Sequence, residues 1–312
     1  MHIHTAIIPQ NTMESQLKFG NIFTFFSHLF PHGLEFSPKD AIIGEKQHHG
    51  ETMRFNIADM ILEFQGDPSW IDSPRWALFR TEDPAPPHYR IIRNYLPQLP
   101  QVAEAHYFYD HLKGSHYAMT REHVGELELT VSESVLPWGR QIHHVYEECA
   151  LPHILLHGER LLLHASYIAH AGGAILFTAP SGTGKSTQAE LWKQHRGAEI
   201  LNGDRAVIGL RGEEAYAFGF PMSGSSEYCV NRSLPLRCVV SLLQGPENRI
   251  RKLKGREALK VLLNGTYADP KHPEDLPRNM NVAISLLQVP VFELSCRPDA
   301  GAVEALEQAL MQ

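Results

Sequence analysis

The chain has 312 residues and a formal charge of -7, with 28 Lys and Arg against 35 Asp and Glu. That balance argues against a broad nucleic-acid footprint, which draws on a cationic surplus. No apolar run approaches the ~18 residues that would span a bilayer, so neither nucleic acid nor membrane is an expected partner. A chain of this length buries a substantial core and, as a prior, divides into about two domains.

The opening MHIHTAIIPQ lacks the basic flank and long apolar segment of a secretory signal, which makes the cytoplasm the expected location. Cys149, Cys229, Cys238 and Cys296 are widely separated and form no CxxC pair, a usage that suits reduced packing thiols.

In chain order, the aromatic-rich FGNIFTFFSHLF (19–30) reads as a core helix. HIH at 2–4 and the HH pairs at 48–49 and 143–144 read as solvent-facing. DPAPPHYR (83–90) and LPQLPQ (96–101) read as turns or extended linkers, because proline lacks an amide donor and restricts the residue before it. VGELELTV (124–131) alternates like a half-buried strand, and WGRQIHHVYEECALPHILLHG (138–158) reads as largely helical with a break or kink near Pro152.

On an unbroken helix Cys149, His153 and His157 would share one face at i, i+4 and i+8, as zinc ligands do. Pro152 interrupts that helix and no fourth ligand follows at a usual interval, so the spacing alone does not carry a metal site.

From residue 160 the pattern is that of an α/β layer. RLLLHASYIAH and AILFTA read as strands joined by AGG, KSTQAELWKQHRG as a helix stopped by Gly197, and AEIL, AVIGL and AYAFGF as strands, the last two joined at RGEE. LPLRCVVSLL (234–243) is apolar enough for a central strand, and GREALKVLLNG (255–265) has leucines at helical spacing. VFELSC and PDAGAVEALEQAL supply a last strand and helix with Asp299 as N-cap. Arg249, Arg251, Lys252 and Lys254 read as a charged strand face, with a small anionic-ligand patch as the alternative. The domain boundary is expected near residue 135: a mixed α+β N-terminal region over 1–135, then a catalytic domain over 136–312.

The segment AILFTAPSGTGKST carries the chemistry. A buried strand runs into a glycine-rich loop and directly into a helix, the context a phosphate-binding loop requires. Gly182 and Gly184 let successive amides curl inward while the new helix offers unpaired N–H groups. Ser181, Gly182, Thr183, Gly184, Lys185, Ser186 and Thr187 are the candidate nucleotide-binding residues. Lys185 would reach the β- and γ-phosphates, and the Ser186 hydroxyl would ligate Mg²⁺. The pattern G-x-x-x-x-G-K-[ST] departs at its first glycine, where this chain has Ala179.

Several segments in order resemble the catalytic domain of HPr kinase/phosphorylase and its relatives: LPHILLHGERLLLHAS, the loop with SGTGKST, ILNGDRAVI, GFPMSGSS and LPLRCVVSLLQGPENRI. The resemblance covers about residues 150–312. It is closer to the HPr-kinase-like serine kinases found with lasso-peptide biosynthesis. It implies an α/β fold, a P-loop kinase domain of HPr-kinase-like (PEP-carboxykinase-like) type. It also implies ATP and Mg²⁺ as cofactors, and a precursor peptide as partner whose C-terminal serine is phosphorylated. The family's founding members form homo-oligomers.

The resemblance further assigns His164 and Asp204 as a catalytic pair, with Asp204 as general base. The family often has paired aspartates there, whereas this chain reads NGDR with one carboxylate. Its glutamate-bearing signature segment is replaced by FPMSGSSEY, in which Glu227 is a candidate second Mg²⁺ ligand beside Ser186 and Asp204, and GSS (224–226) reads as a turn. A kinase for a small molecule such as free serine, and a nucleotide-gated binding module, stay open beside the peptide kinase.

Overall fold

Residues 51–132 build a six-stranded mixed sheet ordered β1-β2-β3-β6-β5-β4. Its strands are β1 (Glu51–Ile57), β2 (Met60–Gly66), β3 (Tyr89–Leu96), β4 (His106–Asp110), β5 (Ser115–His123) and β6 (Glu126–Ser132), with one short helix, α1 (Pro74–Ala77), between β2 and β3. This is a computed structural model, and it describes residues 51–67, 71–110, 114–133, 149–224 and 226–311. The expected helix at 19–30, the histidine pairs, and the expected boundary near 135 lie outside the described residues.

The β1–β2 hairpin turns on Ala58 and Asp59, both at positive φ (55° and 64°), as a two-residue turn matched to strand twist requires. β3 lies parallel to both β2 and β6, and antiparallel pairs flank this parallel centre. The expected strand at 124–131 is β6, which starts two residues later, at Glu126, because residues 124 and 125 form the turn from β5.

Of the helix expected over 138–158, the described part is α2 (Leu151–His157). Pro152 stands in its first turn, where a missing N–H costs nothing, so the proline starts this helix and does not kink it.

The second sheet takes strands β7 (Arg160–His170), β8 (Gly173–Thr178), β9 (Glu199–Asn202), β10 (Arg205–Arg211), β11 (Glu214–Phe218), β12 (Leu234–Gln244), β13 (Arg249–Leu253) and β14 (Val291–Cys296). The order is β11-β10-β7-β8-β12-β14-β13, with β9 beside β7 and β11 also touching β12, so β10, β7, β8, β12 and β11 close into a ring. β8, β12 and β14 are parallel, as the crossover helices between them require.

Helices α3 (Lys185–Arg196) and α6 (Ala300–Leu310) cover one face, and α4 (Gly255–Gly265) and α5 (Leu276–Ser285) the other. The strand alternation explains this. Ile175 and Phe177 of β8 pack with Trp192 and Leu306, while Ala174 and Leu176 pack with Leu262 and Val282. Asp299 is the N-cap of α6, and its carboxylate accepts from the Asn248 amide at 2.7 Å. The architecture is therefore mixed α/β with two mixed sheets.

The two sheets share a core. Phe55, Ile91 and Leu129 of the first, with Trp76 of α1, pack with Leu151 and Ile154 of α2, with Val207 and Phe218 of the second, and with Phe220 just beyond β11. Across the join Arg160 Nε donates to the Ala58 carbonyl (3.0 Å), and Arg211 makes a two-pronged pair with Asp59 (2.9 and 2.7 Å).

Candidate functional site

The glycine loop leaves a fully buried strand, β8, and ends where α3 begins. Gly182 and Gly184 have φ of 78° and 120°, and a β-carbon on either would meet nothing within 4 Å. The demand for glycine is thus on the backbone dihedral. Gly184 is the N-cap of α3 without a side-chain cap, so the first-turn amides have no side-chain acceptor, and no acidic residue lies in that turn. Ala179 is not among the positive-φ residues, so nothing in its conformation calls for the glycine of the general pattern.

Lys185 is only 7% exposed. Its ammonium donates to the Ala179 carbonyl at 3.0 Å and, more loosely, to that of Pro180 at 3.5 Å, which bends it back over the loop's own entry. Burial holds its pKa below the usual lysine value, partly offset by the nearby charge of Asp204. Ser181, Gly182, Ser186 and Thr187 are exposed, and Thr183 N–H donates to the Pro180 carbonyl.

Asp204 owes its position to a break between β9 and β10. Both strands run along the same edge of β7, with Tyr167 opposite Asn202 and His164 opposite Arg205. Between them, Gly203 and Asp204 bulge. Fully buried Asn202 holds that bulge: its Oδ1 accepts the amides of Asp204 (3.0 Å) and Arg205 (2.9 Å), and its Nδ2 donates to the carbonyls of Phe220 and Met222. Ser166 Oγ donates to the Gly203 carbonyl and Ala165 N–H to that of Asp204. The segment NGDR is thus a side-chain-supported turn, and Asn202 is the supporting residue that sequence reading passed over.

The carboxylate of Asp204 faces His164, with Nε2 3.1 Å from Oδ1, while Arg205 Nη1 stands 3.7 Å from Oδ2. Burial would raise its pKa, but the His164 hydrogen bond with the charges of Arg205, His164 and Lys185 outweighs burial and holds it below the usual range. Tyr267 closes this side, with its ring 5.7 Å from that of His164 and the Arg205 guanidinium 5.3 Å from its centroid. Burial lifts its hydroxyl to about 12, so it stays a protonated donor. Thr178, at the end of β8, donates to the His164 carbonyl at 3.0 Å.

The structure therefore brings His164, Asp204 and Lys185 into one charge neighbourhood at the loop's edge. Glu227 is exposed, and among the described residues no ion pair or hydrogen bond ties it to Asp204 or Ser186. Gly224 and Ser226, from the expected turn, back onto the NGDR bulge. On β13, Arg251 pairs with Glu293 and Glu257 and Arg249 with Glu247, the pattern of a charged strand face. Cys149 is fully buried in the core ahead of α2, so the face expected for Cys149, His153 and His157 does not form as such.

No family model matches the chain, and no curated protein matches it. Among solved structures it is similar to the Hpr(Ser) kinase/phosphatase from Coxiella burnetii, at 13% identity and a TM-score of 0.30, over 47% of this chain and 94% of that one. A likeness of that degree leaves function to the residues themselves. Among the described residues no helix is long and apolar enough to cross a membrane.

Proposed function

We propose that the chain is an ATP-dependent kinase acting on a serine hydroxyl of a peptide, with the C-terminal serine of a lasso-peptide precursor as the acceptor that the resemblance points to. The observation that carries this reading is the placement of the Asp204 carboxylate, 3.1 Å from His164 Nε2, beside the buried Lys185 of a glycine loop that opens a helix.

The residues fit a polyphosphate. A helix N-terminus without a side-chain cap, two loop glycines at positive φ and one buried ammonium form the donor set that phosphate oxygens take. The amides of residues 181–187 and Lys185 would hold the nucleotide, and the Ser186 hydroxyl, with Asp204, would ligate Mg²⁺. When bound, ATP and Mg²⁺ supply the phosphoryl group and the neutralisation of its charge.

The rest falls to side chains of this chain. Asp204, ionised at neutral pH, accepts the proton of the serine hydroxyl at its carboxylate, and His164 fixes the carboxylate's orientation through Oδ1. A weakly basic carboxylate suffices, because phosphoryl transfer rests mainly on positioning and charge and the hydroxyl proton leaves late. Asn202 and Gly224 keep that carboxylate in place.

The six-stranded sheet is the element we assign to acceptor recognition. The short helix α1 that packs on it reaches the segment beside Asp204 through Arg75 Nη2, which donates to the Ser226 carbonyl at 2.7 Å, and the Leu78 carbonyl just after α1 accepts from Asn231 at 2.9 Å. Incubation of the purified chain with ATP, Mg²⁺ and peptides ending in serine, with mass spectrometry to locate added phosphate, tests the reading. Free serine as the parallel acceptor separates a peptide kinase from a small-molecule kinase. ATP uptake without a covalent phosphate on any acceptor would leave only a nucleotide-gated binding protein.

A further inference from the structure

Away from the glycine loop, histidines and carboxylates from three distant chain segments meet where the first sheet joins α2. Glu122 comes from β5, His153 and His157 from successive turns of α2, and His272 from just before a 3-10 turn (Pro273–Asp275). Glu122, His153 and His272 each bring a ligand atom to within 4.8 Å of one another. His157 Nε2 lies 3.3 Å from His153 Nε2 and 3.5 Å from Glu122 Oε1, and His153 Nε2 lies 2.8 Å from that same oxygen.

Two of these separations, 3.3 and 3.5 Å, match the edges of a tetrahedron around a metal with bonds of about 2.1 Å, whose ligands stand about 3.4 Å apart, and the shorter Glu122–His153 edge, 2.8 Å, is a hydrogen bond that a metal would open. The supports around them are those a metal-bound histidine uses. His153 turns its other nitrogen, Nδ1, to Asp275 Oδ2 at 2.7 Å, and Asp275 is only 4% exposed. His272 Nδ1 is held by Glu274 at 3.0 Å, so Nε2 is the nitrogen it can offer. The Tyr89 hydroxyl donates to Glu122 Oε1 at 2.6 Å and fixes the carboxylate. A carboxylate behind the far nitrogen sets the imidazole tautomer and raises its basicity toward a cation.

We propose that Glu122, His153, His157 and His272 form a site for a transition-metal dication, zinc above all, that clamps the six-stranded sheet to α2 and to the segment leading into α5. Imidazole nitrogens with one carboxylate oxygen suit zinc over magnesium or calcium, which prefer all-oxygen sets. Four protein ligands leave no open position, so the role is structural. On binding, the metal replaces a proton on His153 Nε2, which leaves to solvent, and the short contact between the two α2 nitrogens becomes a pair of metal bonds. His272, whose ring stacks on that of His153 at 3.9 Å, rotates out of the stack to complete the set.

The test is zinc alone, titrated against the chelator-stripped full chain in competition with a chromophoric chelator, with circular dichroism to confirm that each variant is folded. One equivalent is expected. Glu122→Gln and His157→Ala, at partly exposed positions, should weaken uptake by about tenfold or more, and Asp275→Asn by about 10- to 100-fold through the tautomer it holds. His2→Ala with His4→Ala should change nothing. The proposal is overturned if the folded wild-type chain takes up no zinc, cobalt or nickel. It is equally overturned if zinc affinity is undiminished in Glu122→Gln and His157→Ala, or if uptake disappears when His2 and His4 are replaced.

Discussion

A β-carbon on Gly224 would stand 2.7 Å from Asp204 Oδ2 and 2.9 Å from its Cγ. The main chain at 224 is therefore the wall against which the proposed base rests, and with φ of 55° it occupies a region that L side chains avoid. Gly224→Ala should push the carboxylate away from its position opposite His164 and add about 1–2 kcal/mol of backbone strain. The expected outcome is a lower transfer rate with nucleotide affinity kept, and a denaturant midpoint below wild type. Wild-type kinetics in a folded Gly224→Ala protein would show that Asp204 does not need this wall.

Binding and transfer should separate by residue. Lys185→Ala removes the one buried ammonium of the loop and should abolish nucleotide-dependent activity together with ATP uptake by calorimetry. Asp204→Asn keeps the shape and the Asn202 contacts to the backbone, so it should bind ATP but lose transfer by about 10²- to 10⁴-fold, the range of a general base. His164→Ala should act on kcat through the carboxylate it orients and leave nucleotide affinity in place. Full turnover by Asp204→Asn would remove that residue from the role of base.

The parts of this fold that read directly from the sequence are those fixed by local signals. β7, β8 and β12 are long apolar runs buried by helices on both faces, and Gly197 stops α3 at φ 63°. Apart from β6, the first sheet did not read so, because its strands carry charge on both faces. Arg93 in β3 is only 5% exposed, its guanidinium 5.1 Å from the Tyr95 ring, and Arg90 ties Glu63 to Glu126 across three strands. α5 was missed because its apolar face is interrupted by Arg278 and Asn279 and it opens at a proline. At the site, Asn202 was passed over: its acceptance from the amides of Asp204 and Arg205 is local, but its donation to the carbonyls of Phe220 and Met222 depends on how a distant segment returns to the bulge. The Glu122–His153 contact joins residues 31 apart in sequence and depends on pairing that no local pattern encodes.

The same cluster makes stability depend on pH. His153 lies between Glu122 and Asp275, faces His157 and His272, and has Tyr89, His106 and Glu274 around it. Burial would lower its pKa, but the two carboxylates prevail and hold it above the ordinary 6.5. Its contribution is complete below 6.5, where both folded and unfolded chains carry the proton, and is lost as pH rises through the folded value. Glu122 is opposite in sign. Against burial, its bonds from His153, His157 and Tyr89 hold it well below 4.5, so its contribution is complete above 4.5 and is lost as pH falls. Metal-free protein should therefore be most stable, as far as this cluster goes, between about 4.5 and 6.5. Its Tm should decline above that window with a slope that His153→Gln flattens. An unchanged slope in that variant would place the linked proton elsewhere.

The first sheet should govern the site through Trp76. This side chain is fully buried and meets Phe55 and Phe64 edge-on, at 5.1 and 5.5 Å between ring centroids. Its indole N–H has no hydrogen-bond partner among the described residues, so Trp76→Phe leaves no polar group stranded and should cost far less than truncation. Trp76→Ala should cost about 3–5 kcal/mol, read as a lower denaturation midpoint. α1 is only four residues long and is anchored by that ring, with Ser73 capping the Trp76 amide at 3.4 Å. Loosening it would free the neighbouring Arg75 from the Ser226 carbonyl, and Ser226 packs against Gly203, next to Asp204. Arg75→Ala, which leaves the aromatic core intact, should then reproduce a reduced transfer rate without the large loss of stability. Assays of both variants with a peptide acceptor decide whether the sheet acts on the site through this contact or only by holding the fold together.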